Sequence, residues 1–281
     1  MKIIKYSDKI VITHPYDFDV IQTLNCGQIF RFVIDGNSAK VYSTDKFAYI
    51  TWDSEKIEIH TDDVEYFYNF FDLDRDYSKI KDELRKDEFL KSAVDYGSGI
   101  RIINNDAYEI IISFIISANN NIKRIKNSIE YLCQHFGKYM GSYYAFPTLN
   151  ELKKVTIQQF KQAGLGYRAE QMYMTVQRLV DVDIENLKSE EKDQQFKFLL
   201  SLKGVGEKVA NCIMLFGLGV KDVFPVDTWI NKVYNDLTHS NTTDRKKITQ
   251  ELTTRYKDLS GYAQQYFFYY YRDNKINAKI K

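Results

Sequence analysis

Apolar positions along the first sixty residues recur in short alternating runs. KIIKY (2–6), KIVITH (9–14), IFRFVI (29–34), AKVYST (39–44), FAYITW (47–52) and KIEIHT (56–61) are rich in β-branched and aromatic residues. Asp35-Gly36-Asn37 separates two of them as a turn. This alternation predicts an antiparallel sheet. From about Asp62 the period changes: Val64, Phe67, Tyr68 and Phe71 follow helical spacing, and Ile80 and Leu84 continue it. Tyr96-Gly97-Ser98-Gly99 marks a boundary, and beyond it the chain reads as helical almost to its end. Tyr108 to Ile116 is strongly apolar, Ile125 to Phe136 is amphipathic, and Gly164-Leu165-Gly166 breaks one helix from the next. The expected class is α+β. An N-terminal antiparallel sheet domain with helices (1–96) precedes a helical region (97–281), which contains a helix–hairpin–helix at about 199–218 and a C-terminal helix at about 261–272. There is no internal repeat and no low-complexity linker.

A chain of 281 residues suffices for one large or two ordinary domains. The three prolines, Pro15, Pro147 and Pro225, leave room for many helices. A net charge of +1 does not advertise a nucleic-acid binder, but local patches decide that question. Basic residues gather at Lys123, Arg124 and Lys126, and at the tail (Lys275, Lys279, Lys281). Cys26, Cys133 and Cys212 are scattered and form no CxxC pair. That argues against zinc and iron–sulfur sites and fits a reducing compartment. The first residues lack the apolar run of a signal peptide, and no segment approaches the length of a membrane span. The expectation is a soluble, monomeric cytoplasmic protein without metal or organic cofactor.

The densest chemical signal is LLSLKGVGEKVANCIMLFGLG (199–219) followed by VFPVDTW (223–229). Gly204-Val205-Gly206 is a tight turn between two helices, with glycines where φ can be positive and the backbone must approach something closely. Free amides at the turn and the following helix start form a phosphate site. On the second helix Val209, Ile213 and Phe216 share a core face, whereas Lys208 and Cys212, four apart, share another. The helix dipole and partial burial are both expected to lower the Lys208 pKa toward a neutral, nucleophilic amine. Taken singly, Lys208 reads equally as an exposed lysine opening a helix, and Asp227 as a simple N-cap after Pro225.

Together the two segments resemble the helix–hairpin–helix, Gly/Pro–Asp superfamily of DNA glycosylases. In that superfamily a lysine at the Lys208 position marks members that also act as abasic-site lyases, and the aspartate matching Asp227 is shared by members with and without lyase activity. Lys203 departs from the family, which has proline before the first hairpin glycine. Four further segments narrow the resemblance to the 8-oxoguanine DNA glycosylases: LNCGQIFR (24–31), SFIISANNNI (113–122), GLGYRA (164–169) and GYAQ (261–264). The likeness runs from about Asp17 to Tyr271.

The resemblance implies roles for individual residues. The target nucleotide leaves the duplex stack and enters a pocket. Phe268 stacks on the flipped base, Gln264 bonds its Watson–Crick edge, and Cys212 closes the other face. The backbone carbonyl at Gly27 attracts the N7 proton that oxidised guanine carries and repels the N7 lone pair of guanine. Tyr167 wedges into the vacated stack, while Asn119, Arg124 and Arg168 bond the orphaned cytosine. Keeping Arg124 and Tyr167 implies a preference for cytosine opposite the lesion. Gly204 and Gly206 serve the DNA backbone. Where animal members carry a phosphate-binding histidine, two residues after the aspartate, this chain has Trp229. Read on their own, Phe268 and Cys212 are ordinary core, Gly27 a turn glycine, Asn119 a helix-cap or loop residue, and Arg168 a surface ion pair.

The implied partner is double-stranded DNA containing oxidised guanine. The implied reaction is base release, with Asp227 stabilising positive charge on the sugar and its carboxylate kept ionised by the helix N-terminus. Lys208 attacks C1′ to give a Schiff base, and β-elimination then cuts the strand. A related glycosylase with another oxidised base, or a non-catalytic helix–hairpin–helix DNA-binding module, are the alternatives. A pure clamp needs neither Lys208 nor Asp227.

Overall fold

The computed structural model describes the backbone of residues 1–280 and the side chains of residues 1–274. The basic tail expected at Lys275, Lys279 and Lys281 therefore lies outside the described side chains. Each of the six alternating runs carries a strand: β1 Lys2–Lys5, β2 Lys9–Thr13, β3 Phe32–Asp35, β4 Ser38–Ser43, β5 Lys46–Trp52 and β6 Lys56–His60. They form one antiparallel sheet in the order β1-β2-β6-β5-β4-β3. Register follows the apolar pattern. Ile10 pairs with Ile59, Ile59 with Ile50 and Ile50 with Ala39, so one buried row crosses four strands. A one-residue slip would turn that row to solvent, which is why the alternation specifies the pairing.

The helices are α1 Val20–Asn25, α2 Val64–Phe70, α3 Tyr77–Leu84, α4 Lys91–Tyr96, α5 Ala107–Ser117, α6 Ile122–Phe136, α7 Leu149–Leu152 and α8 Ile157–Gln162, then α9 Arg168–Leu179, α10 Ile184–Ser189, α11 Lys192–Ser201, α12 Glu207–Phe216, α13 Thr228–Thr238, α14 Arg245–Tyr256 and α15 Ser260–Ile280. The sheet's inner face packs on Val20 and Leu24 of α1 and on Phe67 and Phe70 of α2. A second, larger core surrounds α5, whose Ile110, Ile111, Ile112, Phe114, Ile115 and Ile116 are all buried. A helix apolar all round belongs in the middle of a core, and α5 packs on α6, α9 and α12.

The two cores do not divide at a single point in the chain. Tyr77, Leu84, Leu90 and Val94 join the helical core, while Ile103 joins the sheet core. Chain order and spatial order thus interleave. Arg101 fastens this seam: fully buried, it donates to the carbonyls of Phe71 (3.0 Å), Asp17 (3.2 Å), Arg75 (2.8 Å) and Asp72, with Cζ 4.0 Å over the Tyr77 ring. A second tie runs from β4–β5 to α5, where buried Glu109 accepts from the Thr44 amide at 2.6 Å. Among the described residues no helix is long and apolar enough to cross a membrane.

Candidate active site and DNA interface

The helix–hairpin–helix forms where expected, from α11 through the turn to α12. Leu199, Leu202 and Val205 are buried and anchor it. The two glycines do different work. Gly204 has φ +86°, and a Cβ there would meet Gln171 Oε1 at 3.0 Å. Gly206 is the N-cap of α12 in extended backbone (φ −96°, ψ 177°), and a Cβ there would meet nothing within 4 Å. Positive φ thus explains only Gly204, and what Gly206 leaves open is space outside the protein. Beside it lies a recess of about 440 Å³ lined by Gly206, Lys208, Val226, Arg245 and Lys246 among others. Arg245 and Lys246 are exposed. They are candidate phosphate contacts invisible to motif reading, because only the fold brings the start of α14 beside the hairpin.

Val209, Ile213 and Phe216 are buried, as their spacing requires. Lys208 faces the Cys212 sulfur one turn on, near enough for the two to influence each other's ionisation. Its ammonium stands 5.5 Å from the centroid of the Phe114 ring, which itself packs between Phe30 and Phe216 at 5.6 Å each. Asp227 is the N-cap of α13, and its Oδ1 accepts from the Trp229 and Ile230 amides at 2.9 Å each. Both cap bonds fall on one oxygen, so the cap and the charge act together. The expected lowering of the Lys208 pKa is corrected here. The Cys212 sulfur foremost, and the Asp227 carboxylate after it, hold the ammonium above its ordinary value against the pull of burial. Burial in turn raises the Cys212 thiol against the pull of Lys208. The two groups are coupled: charge on either favours charge on the other. The resting lysine keeps its proton, and reaction requires that the proton leave.

At the base-pocket end, Gly27 (φ +85°) lies against Phe268: a Cβ there would stand 3.0 Å from the ring's Cε1. Gln264 and Phe268 share a face of α15. Gln264 is only 6% exposed, and among the described residues its Oε1 has no hydrogen-bond partner. An unsatisfied buried amide oxygen is costly and is suited to a donor brought in by a ligand. Cys212 is buried and engaged with Lys208. Gln28, next to Gly27, was missed by sequence reading. Fully buried, it donates to the Thr23 and Arg101 carbonyls (2.9 and 2.7 Å) and accepts from the Ile103 amide (3.0 Å), so it fixes the Gly27 backbone from behind.

The third group surrounds the end of α5 and the start of α9. Tyr167 is 60% exposed, with the Arg168 guanidinium 4.4 Å from its ring centroid. Arg124 is exposed and its guanidinium has no partner among the described residues. Asn119 takes φ +49°, a left-handed conformation that asparagine tolerates better than most residues. Arg168 departs from expectation. It is 4% exposed, and its fork is spent on the carbonyls of Ala118 (2.6 Å), Asn119 (2.7 Å) and Leu165 (3.4 Å). In this structure it shapes the Asn119 turn rather than facing outward to a base. Trp229 is 37% exposed on the first turn of α13.

The profile described as "8-oxoguanine DNA glycosylase, N-terminal domain" matches residues 10–111, and that of the "HhH-GPD superfamily base excision DNA repair protein" matches residues 112–258. The crystal structure of the Clostridium acetobutylicum 8-oxoguanine glycosylase/lyase, in complex with double-stranded DNA containing cytosine opposite 8-oxoguanine, superposes with a TM-score of 0.92. Identity is 37%, over 98% of this chain and 99% of that one. The N-glycosylase/DNA lyase of Saccharomyces cerevisiae is 35% identical over 57% of this chain, and the N-glycosylase/DNA lyase OGG1 of Arabidopsis thaliana is 32% identical over 60% of it. The chain spans about half the length of these two curated relatives, with 47% and 51% of each matched. The two profiles together cover residues 10–258, the sheet domain and the helical region with its hairpin, and the chain belongs to the HhH-GPD superfamily of base excision DNA repair proteins, with the N-terminal domain of the 8-oxoguanine DNA glycosylases.

Proposed function

We propose that this protein removes 8-oxoguanine from duplex DNA, preferring cytosine opposite, and then cuts the strand as an abasic-site lyase. The observation that carries the reading is Lys208 beside Gly206 in the lining of the hairpin recess, with the Asp227 carboxylate that caps α13 near enough to favour its ammonium. The N9–C1′ bond breaks as positive charge grows on the sugar, and the Asp227 carboxylate opposes that charge. Once Lys208 has given up its proton, Nζ bonds to C1′ and the opened sugar carries a protonated Schiff base. Loss of a C2′ proton then expels the 3′ phosphate. Gly27, Gln264, Phe268 and Cys212 receive the base, and Tyr167 with Asn119 and Arg124 occupies the gap it leaves. Arg168 supports that group from beneath, through its bonds to the Ala118 and Asn119 carbonyls. No cofactor takes part in these steps. The protein acts as a monomer in the reducing cytoplasm, where its three cysteines stay free.

The test is borohydride trapping on a duplex with one 8-oxoguanine opposite cytosine, comparing the wild type with Lys208→Gln. The expected result is a covalent adduct in the wild type alone. Base release without an adduct would overturn the role of Lys208. Neither release nor adduct would overturn the substrate assignment.

A further inference from the structure

Arg272 lies one turn beyond Phe268, so Gln264, Phe268 and Arg272 form one stripe on α15. Its guanidinium packs on the Phe268 and Tyr269 rings, 5.4 and 5.3 Å from their centroids. Nη1 donates to the Asn25 carbonyl at 2.7 Å, and Nε donates to Asp273 Oδ1 at 2.9 Å. Asp273 accepts the Tyr96 hydroxyl at 3.4 Å, and the Tyr96 carbonyl accepts from Gln22 of α1 at 3.2 Å. On the neighbouring face of α15, Gln265 Nε2 reaches Cys26 Sγ at 3.6 Å. The Asn25-Cys26-Gly27 turn is therefore tied to α15 by side chains from either side of Phe268 in sequence. The turn has no strand ladder of its own, because β3 begins only at Phe32.

We infer that Arg272 is a specificity-determining positioning residue: by holding the Asn25 carbonyl to the Phe268 end of α15, it sets the separation between the Gly27 carbonyl and the ring against which the base stacks. The inference rests on the function proposed above and deepens it. A carbonyl distinguishes an N7 proton from an N7 lone pair only within hydrogen-bonding range, and a turn free to retreat loses both the attraction and the repulsion. The planar fork suits the task, since one side chain covers the aromatic ring and bonds the turn together.

The experiment measures single-turnover excision, with rate and half-saturating concentration separated, on duplexes carrying 8-oxoguanine or guanine opposite cytosine. Arg272→Met and Arg272→Lys are compared with the wild type, and cleavage of a preformed abasic site is followed in parallel. For Arg272→Met the preference for 8-oxoguanine over guanine falls about ten-fold or more, the worth of one charge-assisted hydrogen bond. Half-saturation for the lesion rises, and abasic-site cleavage, which needs Lys208 but no base pocket, stays within about two-fold of wild type. Arg272→Lys, which retains a donor, recovers part of the preference. An unchanged preference in Arg272→Met overturns the inference. So does a parallel loss of preference and abasic-site cleavage, which would mark Arg272 as merely structural. A wild type that cleaves abasic sites but leaves 8-oxoguanine in place overturns the functional reading itself, and the inference with it.

Discussion

Arg168 donates to the Asn119 carbonyl at 2.7 Å while its guanidinium underlies the exposed ring of Tyr167 at 4.4 Å. One side chain thus holds the backbone of one predicted DNA contact and the ring of another. The two neighbours should respond differently to substitution. Arg168→Met leaves the Ala118 and Asn119 carbonyls without their donor and should cost roughly 3 kcal/mol of stability in denaturant melts. Tyr167→Ala removes an exposed ring and should stay within about 0.5 kcal/mol of wild type. Yet it should slow excision at least ten-fold, because about 1.4 kcal/mol of lost duplex distortion suffices for that. Equal melts for both variants would refute the assignment.

The proton on Lys208 gives a prediction in pH. Its pKa is raised, with Cys212 the first cause and Asp227 acting in the same sense. Nucleophilic attack needs the neutral amine, so trapping on a preformed abasic site should accelerate as pH rises toward that value. Cys212→Ala removes the main cause of the elevation, so its rising limb should move to lower pH. A limb that stays in place would show that the sulfur does not govern the lysine.

Much of this was legible in the sequence, for physical reasons that differ between elements. The strands were visible because a half-buried sheet imposes a period of two, and each alternating run carries one. Lys208 and Asp227 were visible because hairpin glycines and an N-cap are local constraints written in adjacent residues. Burial of the Arg168 fork was not legible, since its acceptors lie as far as 50 residues away in sequence. The sign of the Lys208 shift failed for a related reason. Dipole and burial can be read from one helix, but how strongly Cys212, one turn on, and Asp227, from the next helix, favour the ammonium depends on the packed geometry. The interleaving of the two cores was not legible because α3 and α4 follow the sheet in sequence yet pack on the helical core.

Glu109 supplies a stability prediction. Burial raises its pKa from 4.5 to about 7, although the Arg31 charge and the Thr44 amide pull it down. Between those values the folded state holds a proton that the unfolded state has released. Stability from this group is therefore present at low pH and lost as pH rises through about 7, by on the order of 3 kcal/mol. Glu109→Gln keeps an acceptor for the Thr44 amide without the titration. Its stability relative to wild type should grow from pH 4.5 to pH 8 in urea melts. Parallel curves for the two proteins would exclude the mechanism.

The hairpin glycines separate folding from DNA binding. Gly204→Ala forces an alanine into φ +86° with Gln171 Oε1 3.0 Å from the new methyl, and should destabilise by about 1–3 kcal/mol. Gly206→Ala meets no protein atom within 4 Å and sits at φ −96°, so folding should be unaffected or slightly favoured. Its methyl nevertheless projects where a phosphate would approach the first amides of α12. Gly206→Ala should therefore weaken duplex binding several-fold, whether or not the duplex carries a lesion, because backbone contacts hold DNA without reading sequence. If Gly206→Ala binds undamaged duplex as tightly as wild type in a titration at fixed salt, the hairpin does not clamp the DNA backbone, and the basic side chains of Arg245 and Lys246 become the place to look for that contact.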